Sequence, residues 1–62
     1  MSVTDDEAKK VGEAMRRYGG GFVRQLGIAV GFADPTNRTR IKNAFPEYWS
    51  KYLELSNRSV SL

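Results

Sequence analysis

The fold of this chain turns on residues 18 to 22, which read Tyr18-Gly19-Gly20-Gly21-Phe22. Three consecutive glycines inside a helix cost roughly 2 to 3 kcal/mol relative to alanines. Apolar residues at spacings of three and four nevertheless continue across the glycines, because Tyr18 and Phe22 lie four residues apart. The spacing therefore predicts one long helix through the glycines, and the alternative is a helical hairpin that turns at residues 19–21.

Capping residues indicate where the helices begin. Thr4 and Glu7 form a capping-box pattern, which places the start of the first helix near residue 5. Asp34 suits an N-cap and Pro35 suits the first position of a second helix. Pro46 repeats this device, so a third helical segment begins there unless the second one continues through a kink.

These patterns predict an all-α protein. A long N-terminal helix at about 5–33 is followed by a shorter two-part or kinked helical arm at about 35–55. Residues 1–62 form a single small helical domain, and 56–62 are expected to fray as a tail. We expect the chain to assemble as a helical-bundle oligomer, for the reason given next.

The stretch 22–33 is apolar in nearly every direction around a helix, and Gly27 and Gly31 lie one turn apart on it. A chain of 62 residues is too short to cover such a helix on all sides. A second copy of the chain is therefore the expected partner, with a dimer as the simplest form. The alternative is that the glycines accommodate the third helix of the same chain. The predicted interface residues are Phe22, Val23, Leu26, Gly27, Val30 and Gly31.

The third helical segment is amphipathic. Its apolar face carries four aromatic residues that we expect in the core or against a partner: Phe45, Tyr48, Trp49 and Tyr52.

The composition argues against catalysis. The chain has no Cys and no His, which removes disulfides, the common zinc sites and the usual general base and thiol nucleophile. Its carboxylates have structural explanations as helix-start charges, caps or polar surface. We expect no enzymatic activity, no cofactor and no metal site.

Membrane insertion is not expected either. The longest apolar stretch, 22–33, is about half the length that a bilayer span requires. The acidic N-terminal sequence lacks the basic and apolar regions of a secretory signal. We therefore expect a cytoplasmic protein.

Basic residues provide a nucleic-acid alternative. The chain has 10 Lys and Arg against 7 Asp and Glu, a net charge of +3. Arg38, Arg40 and Lys42 in the second helical segment are of types that contact phosphates or bases. A helix-turn-helix arrangement is disfavoured, because polar residues occupy positions that should face inward. A second patch could combine Arg16, Arg17 and Arg24, and Arg24 also follows the glycine run as in a weak phosphate cradle.

The run Asn43-Ala44-Phe45-Pro46-Glu47-Tyr48-Trp49-Ser50-Lys51-Tyr52, preceded by Ala33-Asp34-Pro35-Thr36-Asn37-Arg38, resembles the C-terminal half of small helical proteins of tailed phages and prophages. The resemblance covers roughly residues 22 to 53. It implies an accessory protein in an infected bacterial cytoplasm, a class that includes regulators and inhibitors of host defence. It assigns no role to any individual residue. The leading hypothesis is thus a protein that binds a host protein as a homo-oligomer.

Overall fold

The computed structural model describes residues 3–60, which form four α-helices and no β-strand. These are α1 at Asp5–Tyr18, α2 at Gly21–Phe32, α3 at Pro35–Ala44 and α4 at Pro46–Val60. The all-helical class predicted from the sequence is confirmed.

The helix starts follow the capping residues. The backbone N–H of Glu7 donates to Thr4 Oγ1 at 3.1 Å, which caps α1. The backbone N–H of Asn37 donates to Asp34 Oδ1 at 2.8 Å, and Pro35 is the first residue of α3. Each cap satisfies an amide that the helix itself leaves without a partner.

The single long helix predicted at 5–33 is wrong. Helix α1 ends at Tyr18, and the next two residues, Gly19 and Gly20, are extended, with φ of −79° and −76°. The chain then reverses, so that α2 packs back against α1 as a helical hairpin. Neither glycine has a positive φ. Gly19 is nevertheless confined, because an added Cβ would lie 2.5 Å from the carbonyl oxygen of Met15.

The hairpin is favoured because it buries apolar side chains that a long helix would leave in water. Val11 and Met15 of α1 are fully buried, as is Val30 of α2, and Val23 is nearly so. Burying one such side chain stabilises the fold by about 1.5 to 3 kcal/mol. The gain from several of them exceeds what one continuous helix would gain from its uninterrupted backbone hydrogen bonds.

Helix α4 completes the core against α1. Its Trp49 and Tyr52 are buried. Leu53 and Leu55, which are partly exposed, pack against the same cluster. Over residues 3–60, α3 contributes no fully buried side chain, and its Ile41 reaches the core from the edge. The core therefore lies between the hairpin and α4, with α3 at its margin.

The C-terminal arm consists of two helices, separated at Phe45, rather than one kinked helix. Helix α4 extends to Val60, and the fraying expected at 56–62 stays a prediction. Residues 61 and 62 of that tail lie outside the described residues.

Candidate functional site

Helix α3 is attached to the start of α1 through charged side chains. Arg38 forms an ion pair with Asp5, and Lys42 Nζ lies 3.3 Å from Glu7 Oε2. The same Glu7 oxygen accepts a hydrogen bond from Trp49 Nε1 at 2.8 Å. Helices α1, α3 and α4 therefore meet at Glu7.

This attachment changes the interpretation of the basic residues of α3. The side chain of Arg38 is 18% exposed and, like that of Lys42, is directed to a carboxylate of α1. Arg40 is exposed and lies on another side of α3, because residues two apart on a helix do not face each other. Arg38 and Lys42 therefore already have carboxylate partners, and nucleic-acid contact by Arg38, Arg40 and Lys42 stays a prediction.

A groove lined by apolar side chains runs between α2 and α3. Its apolar lining comes from both helices and the residues that end them, namely Ala29, Phe32, Ala33, Ile41, Ala44 and Phe45. Asn37 and Arg40 form its polar rim, and Arg40 is the one charged residue among the described residues that line it. Phe32 is 88% exposed, more than any other large apolar side chain in the described range. We call this surface the apolar groove.

Three aromatic rings extend the apolar groove toward α4. The ring centroids of Phe22 and Phe45 lie 5.7 Å apart in an edge-to-face arrangement, and those of Phe45 and Tyr48 lie 6.1 Å apart in a stacked one. Phe22 and Tyr48 are exposed. Of the four aromatic residues predicted for the core or a partner, Trp49 and Tyr52 are buried within the chain. Phe45 and Tyr48 belong to the surface cluster.

The predicted subunit interface also divides between core and surface. Leu26 is half-buried against the core, Phe22 is 59% exposed and Gly31 is exposed. The other three predicted interface residues face α1 of the same chain and are buried there: Val23, Gly27 and Val30.

Gly27 marks a close contact within the chain, not between subunits. A Cβ at Gly27 would lie 2.7 Å from the carbonyl oxygen of Gly12 and 2.7 Å from the Cβ of Met15. A Cβ at Gly31 would meet nothing within 4 Å. The glycine pair therefore does not form one groove for a second copy, and the alternative of an intrachain contact applies to Gly27, with α1 as the partner helix.

A second groove lies on the opposite flank of α2, between the end of α1 and the start of α2. It is lined by Glu13, Arg16, Arg17, Arg24 and Ile28. This lining joins the three residues that the sequence grouped as a second basic patch. No ion pair involves any of the three arginines in the part of the chain that the structure describes. We call this surface the arginine groove.

Two important residues were not singled out from the sequence. Gly12 lies inside α1, where an isolated glycine costs about 1 kcal/mol relative to alanine. A glycine at such a position in the sequence indicates a packing role. Phe32 ends α2, and its exposure depends on where α3 lies. No local pattern could have identified it.

Within residues 3–60, no group of three or more acidic side chains is placed to hold a metal ion. The apolar groove presents a row of apolar side chains, and the arginine groove presents a group of cations.

The fold defines a small all-helical protein with two grooves along α2, the apolar groove and the arginine groove. Comparisons with protein-family models, curated proteins and solved structures gave no match to the chain. In the described part, each helix is too short or too polar to cross a bilayer.

Proposed function

We propose that this protein is a non-enzymatic binding protein that acts as a homo-oligomer, with the apolar groove as the surface through which subunits associate. The observation that carries the proposal is Phe32, which is 88% exposed beside a groove of alanine and aromatic side chains. Monomeric proteins rarely leave a contiguous apolar surface of this kind in water unless it binds something.

A second copy is the occupant that the surface fits. Phe32 lies at the wall of its own groove, so a two-fold axis lets each subunit insert Phe32 into the groove of the other. Charge favours the same face. Two copies of net charge +3 repel each other, and the apolar groove carries one charged residue, Arg40, in the range described. Association there brings few like charges together.

Phe32 alone does not account for a stable dimer. Two buried phenylalanines gain about 3 to 6 kcal/mol in total, against an association cost of about 4 kcal/mol or more. The remaining stabilisation has to come from the adjoining aromatics, Phe22 and Tyr48, which are also exposed. The proposed interface therefore extends from Phe32 to the aromatic cluster.

The cellular role that we propose rests on the resemblance of the Phe45-Pro46-Glu47-Tyr48-Trp49 run to phage and prophage proteins. In this proposal the oligomer is a phage accessory protein that binds a host protein in the host cytoplasm and inhibits a host defence factor. The resemblance alone supports a host-protein partner, because the proposed subunit interface covers the apolar groove.

A small basic nucleic-acid-binding regulator is the second candidate. The version based on α3 loses support, because Arg38 and Lys42 have carboxylate partners within the chain. Support now comes from Arg16, Arg17 and Arg24, which line one groove.

Light scattering coupled to gel filtration tests the oligomer. The parent chain should elute above the 7.0 kDa mass of one chain at micromolar concentration. Phe32→Asp should produce monomers, since it places a charge in the apolar groove. Ser50→Asp is the control, because it adds the same charge at an exposed position of α4 that lines neither groove. A monomeric parent, or equal dissociation in both variants, contradicts the proposal.

A further inference from the structure

The net charge of this protein is concentrated at one place. Among the described residues, four ion pairs join four of the 10 basic residues to four of the 7 acidic ones, so six cations and three carboxylates carry the net charge of +3. The cations that remain outside ion pairs are Lys9, Arg16, Arg17, Arg24, Arg40 and Lys51. Half of them line the arginine groove, where Glu13 supplies the single negative charge in the described lining.

Folding explains only part of this grouping. Arg16 and Arg17 lie in the last turn of α1, where positive charge is favourable for the helix. Arg24 is the fourth residue of α2, near the end where positive charge is unfavourable, and the first turn of α2 has no acidic residue. Bringing Arg24 beside two further arginines adds like-charge repulsion. The hairpin thus assembles a cationic site that its own stability does not require.

We infer that the arginine groove binds the phosphodiester backbone of a nucleic acid, without reading its base sequence. The guanidinium group has a planar fork of donors that matches phosphate oxygens, and unpaired arginines are free to use it. This inference rests on the second candidate function, which it narrows to backbone contact without base readout, and it is independent of the proposed self-association, which uses the apolar groove.

The groove fits a nucleic-acid backbone better than an acidic protein segment. Protein interfaces have an apolar centre with aromatic residues, and the described lining of the arginine groove offers Ile28 as its apolar side chain. Backbone contacts to nucleic acid need charge and donors but no apolar centre. The described lining of the groove has the charge and donors that backbone contacts need, and it lacks the apolar centre of a protein interface.

Three arginine contacts determine how strongly the affinity for nucleic acid should depend on salt concentration. Neutralising three phosphates makes the logarithm of the association constant fall with the logarithm of salt concentration at a slope of about −2.7 for duplex DNA and about −2.1 for single strands. Raising the salt from 50 to 200 mM should therefore weaken binding about 40-fold to a duplex and about 20-fold to a single strand.

Fluorescence anisotropy with fluorescein-labelled mixed-sequence probes tests this inference, using duplex DNA, single-stranded DNA and single-stranded RNA of equal length. The full chain should bind at low salt with the slopes given above, and the probe bound most tightly identifies the source of the phosphates. Absence of binding to all three probes at 50 mM salt overturns the inference.

Two triple variants distinguish a site from general positive charge. Arg16→Gln/Arg17→Gln/Arg24→Gln should lower affinity at least tenfold. Lys9→Gln/Lys51→Gln/Arg58→Gln removes the same number of cations from positions that line neither groove and should change affinity less than threefold. Equal losses in both variants overturn the inference.

Competition separates the two classes of polyanion. Unlabelled DNA should displace the probe at a lower charge concentration than poly-glutamate does. If poly-glutamate competes equally well or better, the groove binds acidic protein segments and the inference is wrong. Circular dichroism and light scattering on each variant verify helix content and oligomeric mass, so that a loss of binding is not a loss of fold.

Discussion

Gly12 of α1 and Gly27 of α2 face each other at a close approach of the two helices of the hairpin. A Cβ at Gly27 would lie 2.7 Å from the carbonyl oxygen of Gly12, and a Cβ at Gly12 would lie 3.3 Å from the carbonyl oxygen of Gly27. The two missing side chains let the helix backbones approach, and Met15 of α1 lies against α2 at the same place.

Gly27→Ala tests this close approach. The added methyl group overpacks the contact, which costs about 1 to 3 kcal/mol. Alanine also gains about 1 kcal/mol of helix propensity over glycine, so the net loss is between about 0 and 2 kcal/mol. We expect the variant to be less stable than the parent by up to about 2 kcal/mol in urea unfolding. Gly31→Ala is the control, since nothing lies within 4 Å of its added Cβ, and it should be equally or more stable than the parent. Equal stability of the two variants would mean that the helices have room to separate.

Gly19→Ala tests the hairpin turn. Its Cβ would lie 2.5 Å from the carbonyl oxygen of Met15 and 2.6 Å from Cγ1 of Val23, so the turn has to shift. We expect a loss of about 1 to 3 kcal/mol in thermal or urea unfolding. Gly20→Ala, with no atom within 4 Å of its Cβ and a negative φ, should change stability by less than about 1 kcal/mol. A larger effect at Gly20 than at Gly19 contradicts the turn geometry described above.

Glu7 provides a third test, because it combines an ion pair with a hydrogen bond to a buried indole. Glu7→Ala leaves Trp49 Nε1 without its acceptor, which costs about 1 to 3 kcal/mol. Glu7→Gln keeps an acceptor oxygen and loses mainly the partly exposed ion pair to Lys42, worth up to about 1 kcal/mol. Urea unfolding followed by Trp49 fluorescence should rank stability as parent, Gln, then Ala. If the two variants are equally stable, the indole hydrogen bond contributes nothing.

The parts of this fold that depend on neighbouring residues could be predicted from the sequence. Thr4 and Asp34 act as caps within three residues of their partners, and Pro35 begins the helix that follows. Pro46 likewise begins α4. These features involve short sequence separations, so the sequence pattern contains the interaction itself.

The choice between hairpin and long helix depends on contacts that no short pattern contains. The spacing from Tyr18 to Phe22 is compatible with both folds, whereas the contact of Gly12 with Gly27 exists only in the hairpin. Sequence reasoning therefore continued the apolar face of α1 through Phe22, while the structure buries Val23 instead. The apolar residues left on the surface by this difference form the apolar groove.

The sequence shows which basic residues could form a site, but not which of them form ion pairs within the chain. The sequence indicates that Arg38 and Lys42 could contact phosphates or bases. Their ion-pair partners, Asp5 and Glu7, lie 33 and 35 residues away in the chain, so no local pattern shows these pairs. Arg24 was grouped with the basic residues at the end of α1, and the hairpin turn places them in one groove. Charge alone could not tell which of the two sets remains unpaired.

A final prediction is that association through the apolar groove and nucleic-acid binding by the arginine groove respond differently to salt concentration. Association through the apolar groove buries few charges and brings together two chains of net charge +3, so added salt screens repulsion and leaves apolar burial intact. We expect the dissociation constant of the oligomer to stay constant or to decrease between 50 and 500 mM NaCl, as measured by sedimentation at several protein concentrations. Nucleic-acid binding by the arginine groove should weaken steeply over the same range, because counterions compete for the phosphates. If the oligomer dissociates as salt increases, charged contacts hold the subunits together, and the interface then lies away from Phe32.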